Sequence, residues 1–303
     1  MTILAPDLDR PDADFGPGPE QGRAGLGLMV GRRLLRTGGS VLLSIVVILV
    51  LWEGFIRLYH LQPIVAKNPL DVWRYMFTQK ANSTHGLRSA AQNRSVLFRN
   101  LATTLHDAGI GYLAGIVLAL AVSCVFVIQR PVEETFMPVA LMLRSVPLVA
   151  MTPLITLIFG RGTMAVAVIG GVVCFFPALV NIMHGIRSTP AARLDLMSAY
   201  GASRLTILHK VQLPSALPSV FASLRINVPA SVIGALLAEW LATGKGSGQE
   251  MLTVQNTFDY GELWSAVVLV TLVSVLAYSV VASIEAAVLA RYAPDSVAKT
   301  INQ

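Results

Sequence analysis

The stretch TPAARLDLMSAYGASRLTILHKVQLPSALP, residues 189–218, is a polar interval between two long apolar runs, and its local signals are helical. Thr189 is placed to cap a first helix, and Pro190 suits the first helical position, where a missing N–H is no loss. Gly201 supplies the left-handed residue that ends this helix. Ser203 is placed to cap a second helix from Arg204, and Pro214 disfavours helix at Leu213 and so closes it. Leu194 and Met197 fall on one face of the first helix, Leu205 and Leu208 on one face of the second. Such a pair, joined at both ends to apolar runs, either docks a partner or lies on a bilayer as an amphipathic element. Local chemistry leaves both open.

Outward from this interval the chain is apolar. The preceding run, Gly162 to Ile186, is interrupted only by Asn181 and His184; the following one, about Ser215 to Ala242, holds Arg225, Pro229 and Glu239. Each is long enough for the ~20 residues of helix that cross a hydrocarbon core of about 30 Å. Hydrophobic residues make up 54% of the 303-residue chain and charged residues 13%. A soluble domain carries about 25% charge, so a soluble fold of this length lacks the polar surface to cover itself. The net charge of +6 does not form a basic patch with interleaved aromatics. Lys and Arg fall between the apolar runs, where membrane proteins keep them, and no nucleic acid partner is expected. Cys124 and Cys174 lie inside runs with no CxxC pair, which suits small buried hydrophobes.

Further runs bring the expected count to about six transmembrane helices. The first covers about Gly39 to Tyr59, with Glu53 and Arg57 spaced to pair on one helix face. The second is charge-free from Ala108 to Gln129, and Gly109, Gly111 and Gly115 would let another helix approach closely. The third, about Thr135 to Phe159, is broken by Arg144 and by Pro138, Pro147 and Pro153. The sixth runs from Leu263 to Leu289. Residues 1–38 read as an acidic, turn-rich, disordered tail, 39–292 as the transmembrane domain and 293–303 as a second tail. Arg23, Arg32, Arg33 and Arg36 before the first span place the N-terminus in the cytoplasm. An even number of spans returns the C-terminus there, and the 187–213 loop shares that side. Against this stand Lys67, Arg74, Lys80, Arg88, Arg94 and Arg99 in a segment, 60–99, that should be external.

The 189–218 interval resembles the cytoplasmic loop of ABC importer permeases, which has the form EAA, three residues, Gly, nine residues, Ile, one residue, Leu-Pro. Gly201 fits, Val211 takes the Ile position, and Leu213-Pro214 completes the pattern. Asp195 stands for the Glu and keeps its charge, whereas Leu196 and Met197 replace the two alanines. LMLRSVPLVAMTPLITLIFGRG (141–162) and SLRINVPASVIGALLAEWLATGKGSG (223–248) are similar to the third and fifth spans of permeases for nitrate, sulfonate, taurine and pyrimidine-type substrates. The resemblance covers roughly residues 60–292. It implies an all-α integral membrane protein with the type I ABC importer permease fold, in the cytoplasmic membrane of a prokaryote. It further implies a second permease, copy or paralogue, a cytoplasmic ABC ATPase dimer holding ATP and Mg, and an extracytoplasmic solute-binding protein. Asp195, Leu196, Met197, Gly201, Ala202, Leu205, Leu208 and Pro214 would then form the coupling element, within 190–210 and its exit. The solute would be a small organic or anionic molecule.

No catalytic residue, metal site or bound cofactor is expected in the chain itself. Gly244-Lys245-Gly246-Ser247-Gly248 lacks the spacing of a phosphate loop, HExxH and GxSxG are absent, and the five histidines have no metal-ligand spacing. Charged and polar groups inside spans point to a substrate path. Arg144, Ser145 and Pro147 break helix geometry together, and Asn181, Asn227 and Glu239 are further candidates for path or gate. Arg225 suits pairing or snorkelling. The alternative function is a secondary transporter or channel not driven by ATP, which would call for intramembrane acid pairs or repeat symmetry.

Overall fold

The computed structural model describes residues 43–78, 81–83 and 86–292. The two expected tails, 1–38 and 293–303, lie outside the described residues. The chain divides into two units after Gln62. In the first, helix α1 covers residues 43–58. Its apolar side chains, Leu43 to Leu51 among them, are exposed, as a lipid-facing surface requires. Arg57 Nε donates to Glu53 Oε1 at 2.8 Å, the pairing its spacing predicts.

The second unit opens with α2 (Pro69–Phe77), held by a reciprocal capping box between Asn68 and Asp71. A short antiparallel hairpin, β1 (Ala81–Ser83) and β2 (Gly86–Arg88), is a small addition to a chain expected to be wholly helical. Then come α3 (Ala90–Ile128), α4 (Arg130–Arg144), α5 (Leu148–Phe159), α6 (Thr163–Arg187), α7 (Ala191–Ala199) and α8 (Arg204–Ile207). The last three helices are α9 (Leu213–Ala238), α10 (Gly246–Asn256) and α11 (Tyr260–Tyr292). Among the described residues four helical runs are long and apolar enough to cross a membrane: α3, α6, Arg204–Thr243 and α11. The expected third span is α4 and α5, bent by 105°. The expected first span begins at Gly39, before the described part of α1.

Two local expectations are corrected. Pro214 does not close the second short helix: Leu213 keeps helical dihedrals (φ −62°, ψ −46°) and the chain runs helically into α9. A π-helical turn over Leu208–Gln212, in which Leu213 N–H reaches back five residues to Leu208 O, absorbs the proline's missing donor. Thr189 does not cap α7. Its hydroxyl donates to Ile186 O at 2.9 Å at the end of α6, and Pro190 takes the cap position.

The core is the packing of α3, α6 and α9, and small residues allow it. A Cβ on Gly111 would lie 2.7 Å from Gly170 Cα, and one on Gly234 would lie 2.9 Å from the same atom, so three main chains meet at one point. Gly115 faces Gly171 and Cys174 in the same seam, while Gly109 has nothing within 4 Å. In lipid, where apolar burial alone drives helices together weakly, such backbone contact supplies dispersion attraction. Around the seam Ile116, Ala119 and Phe126 of α3 interlock with Leu179, Ile182 and Ile186 of α6.

Four of the six basic residues named in the 60–99 segment have partners within the protein. Lys67 Nζ donates to Pro63 O at 2.8 Å, Arg74 lies 4.0 Å from Asp71 and Arg88 lies 3.6 Å from Glu262. Arg94 donates to Met76 O at 2.8 Å and covers the Phe77 ring. Lys80 lies outside the described residues.

Candidate functional site

Two features stand out, one at each end of α4. At its first turn, the α7–α8 unit projects from the helix core. The helix α7 ends in a Schellman motif: Gly201, at φ +72°, donates to Ser198 O at 2.9 Å, and Ala202 N–H donates to Met197 O at 3.0 Å. The Ser203 hydroxyl then accepts from Thr206 N–H at 3.3 Å and starts α8. No side chain of α7 or α8 is buried. Leu196, Tyr200 and Leu205 are exposed by 57%, 81% and 62%, and Asp195 stands exposed beside them. Leu208, by contrast, turns into the α3–α6 core and is 2% exposed. The two leucines expected on one face are therefore separated, one outward and one serving as the root.

Two arginines fasten this end of the bundle, one of them in the unit itself. Arg204 Nη1 donates to Ile128 O at 3.2 Å, capping the last turn of α3. Arg187, at the end of α6, pairs with the buried Glu133 in the first turn of α4.

At the other end of α4, the helix stops at Ser145 and the chain re-enters as α5 after Pro147. Pro147 is extended (φ −60°, ψ 116°), the conformation that fixes the bend. A cavity of about 240 Å³ opens there, lined by Leu143, Arg144, Leu148 and Met151 on one side and by Val173 and Phe176 of α6 on the other. Backbone broken at membrane depth is tolerated where it lines a cavity. Arg144 is the one charged residue in an otherwise apolar lining.

Residues 111–293 match the family model described as binding-protein-dependent transport system inner membrane component. The chain belongs to this family. Among its relatives, a probable ABC transporter permease protein of Haemophilus influenzae is 27% identical over 237 residues, covering 78% of this chain and 91% of that one. The formylaminopyrimidine transport permease protein ThiX of Halalkalibacterium halodurans is 26% identical over 243 residues, covering 80% and 92%. In three dimensions the chain is similar to one from the MetNI methionine ABC transporter in an inward-facing conformation, with a TM-score of 0.58 and 22% identity over 64% of this chain and 96% of that one. That likeness bears on the fold alone.

In this permease, the residues singled out from sequence divide sharply. Of the path candidates, Arg144 lines the cavity, Ser145 and Pro147 make the bend, and Asn181 lies half-buried on α6. Asn227 is fully buried, its side-chain amide donating to Ser223 O at 2.9 Å on its own helix. Glu239 is fully buried at the opposite end of α9 from α7 and α8. Its carboxylate accepts from Gly248 N–H at 2.6 Å, in the crook of the glycine-rich loop that follows, while Ser247 N–H reaches Thr104 at 2.9 Å. Glu239 is thus a latch within the protein rather than a residue on the cavity. Arg225 pairs with Glu285 of α11 at 3.0 Å, the pairing its position suggested. Phe176 and the Glu133–Arg187 pair were not singled out from sequence. The FFP triplet at 175–177 offered a faint signal for the first; partners 54 residues apart offered none for the second.

Proposed function

We propose that this permease is one of two in an ATP-driven importer of a small organic or anionic solute, coupled to an ABC ATPase dimer through α7 and α8. ATP and Mg belong to that dimer, and the solute arrives from an extracytoplasmic solute-binding protein. The observation that carries the reading is the α7–α8 unit itself. It presents Leu196, Tyr200 and Leu205 with the Asp195 carboxylate, outside a core that holds it rigidly through Leu208 and Arg204. An exposed apolar patch bordered by the Arg193 and Asp195 charges suits a protein groove better than open water. Asp195, Leu196, Met197, Gly201, Ala202 and Leu205 supply the contact or its shape, Leu208 and Pro214 its attachment. Both termini lie on the side of the ATPase.

The solute passes beside the α4–α5 bend. Arg144 offers a positive charge and Phe176 a ring face, which suits a planar or compact solute bearing an anionic or hydrogen-bond-accepting group. The relatives named for formylaminopyrimidine, nitrate and taurine support this range of chemistry. The test is Gly201→Val in the assembled, reconstituted complex. The position has open space around it but a left-handed backbone, costing a β-branched residue about 1–3 kcal/mol. Loss of transport together with loss of transport-stimulated ATP turnover is expected, with the permease still folded. A variant that transports normally refutes the docking role.

A further inference from the structure

We infer that α2 is an interfacial anchor, lying in the headgroup region of the bilayer on the side opposite α7 and α8. That side follows from α3, whose first turns hold α2 through Arg94 and Met76 and whose last turn holds α8 through Arg204.

At about 100° per residue, the nine residues of α2 sort into three sectors. Val72 and Tyr75 are buried and face the protein. Asp71 and Arg74 form a charged sector. Leu70, Trp73 and Phe77 form a third, apolar and outward, exposed by 53%, 59% and 48%. Trp73 and Phe77 stack with ring centres 4.3 Å apart. A helix on a soluble surface has a protein side and a water side. This one has a third, apolar side that neither accounts for.

The occupant is fixed by height. Tyr75 donates to Glu262 at 3.1 Å and packs on Gly261, in the first turn of the membrane span α11. Four residues upstream of α2, Val65 O accepts from the Trp264 indole at 2.9 Å. The helix is therefore held at the level where α11 leaves the hydrocarbon. At that level the apolar sector meets acyl chains, the Trp73 ring sits where tryptophans gather, and Arg74, with Lys67 nearby, lies level with lipid phosphates. This assigns a purpose to two basic residues that run against the usual charge bias of an external segment: Lys67 and Arg74 face anionic headgroups.

The test uses the intact transporter complex in nanodiscs of phosphatidylethanolamine and phosphatidylglycerol, with Cys124→Ser and Cys174→Ala as background. Single cysteines at Leu70, Trp73, Phe77, Asp71 and Arg74 carry a nitroxide, and collision with dissolved oxygen is compared with collision with a water-soluble nickel chelate. Several-fold preference for oxygen at 70, 73 and 77, reversed at 71 and 74, is the expected pattern. Preference for nickel at 73 places the row in water and overturns the inference. Low collision with both reagents at 70, 73 and 77 places it against protein, whether a second copy or a binding protein, and equally overturns it. Leu70 is exposed and takes no part in the Trp73–Phe77 stack or the Arg94 contact, so the cysteine at 70 leaves the helix packing intact and carries the test if either ring position fails.

Discussion

Replacing Gly111 with alanine adds one methyl group at the point where three helices touch. The new carbon would lie 2.7 Å from Gly170 Cα and 2.9 Å from Gly170 carbonyl carbon. Carbon atoms pack at about 3.5–4.0 Å, so α3 and α6 must separate by roughly 1 Å. Both obstacles are main-chain atoms, so no side chain can rotate out of the way, and α6 cannot retreat freely because Gly234 of α9 backs the same residue. Overpacking of this kind costs about 1–3 kcal/mol. At 1.4 kcal/mol per factor of ten, the folded population falls about five- to 150-fold relative to the unfolded. Gly109→Ala is the internal control. Nothing lies within 4 Å of that position, and alanine in a helix interior is favoured over glycine by about 1 kcal/mol. Thermal unfolding of the two variants in nanodiscs, followed by tryptophan fluorescence and by the soluble fraction after heating, should shift in opposite directions. Equal melting of Gly111→Ala and the parent protein would refute the three-helix contact.

Leu208→Ala should lower stability by about 2–5 kcal/mol, since it empties a core position. Leu205→Ala should change stability by no more than about 0.5 kcal/mol and instead reduce capture of the ATPase in a pull-down. Arg225→Met strands the Glu285 carboxylate and should cost about 3–5 kcal/mol, while adding Glu285→Leu should restore most of it; denaturation of the two in matched micelles decides. Glu239→Ala removes the acceptor of Gly248 N–H, at about 1–3 kcal/mol. Hydrogen exchange confined to the 244–248 loop should quicken, and unchanged exchange there would deny the latch.

The spans were legible because membrane burial demands an unbroken apolar run, a condition readable one residue at a time. Gly201 and Ser203 were legible for a similar reason, their jobs being set by the backbone within four residues. Pro214 misled because its local preference against helix was outweighed by a π turn that relieves it, within a span anchored at both ends. Leu205 and Leu208 look equivalent by periodicity, and only the proximity of α3 and α6 sends one inward. The cavity was half legible: the Arg144–Pro147 break announced itself, but Phe176 comes from a helix whose approach depends on glycines in three separate runs. For Glu239 the sequence marked a charge inside a span, but its partner, Gly248 N–H, comes from the segment that folds back over the helix end and is visible only in three dimensions.

The helix α3 has 39 residues, which at 1.5 Å each makes a rod of about 58 Å, nearly twice the hydrocarbon thickness of about 30 Å. Gly111, its point of contact with Gly170, falls close to its middle. From that contact to its C-terminal end α3 stays packed on α6 through Ile116, Ala119 and Phe126, so over that half the two helices form one block. One tip carries Arg94 and the other accepts Arg204, so one helix joins α2 at one end of the bundle to α8 at the other.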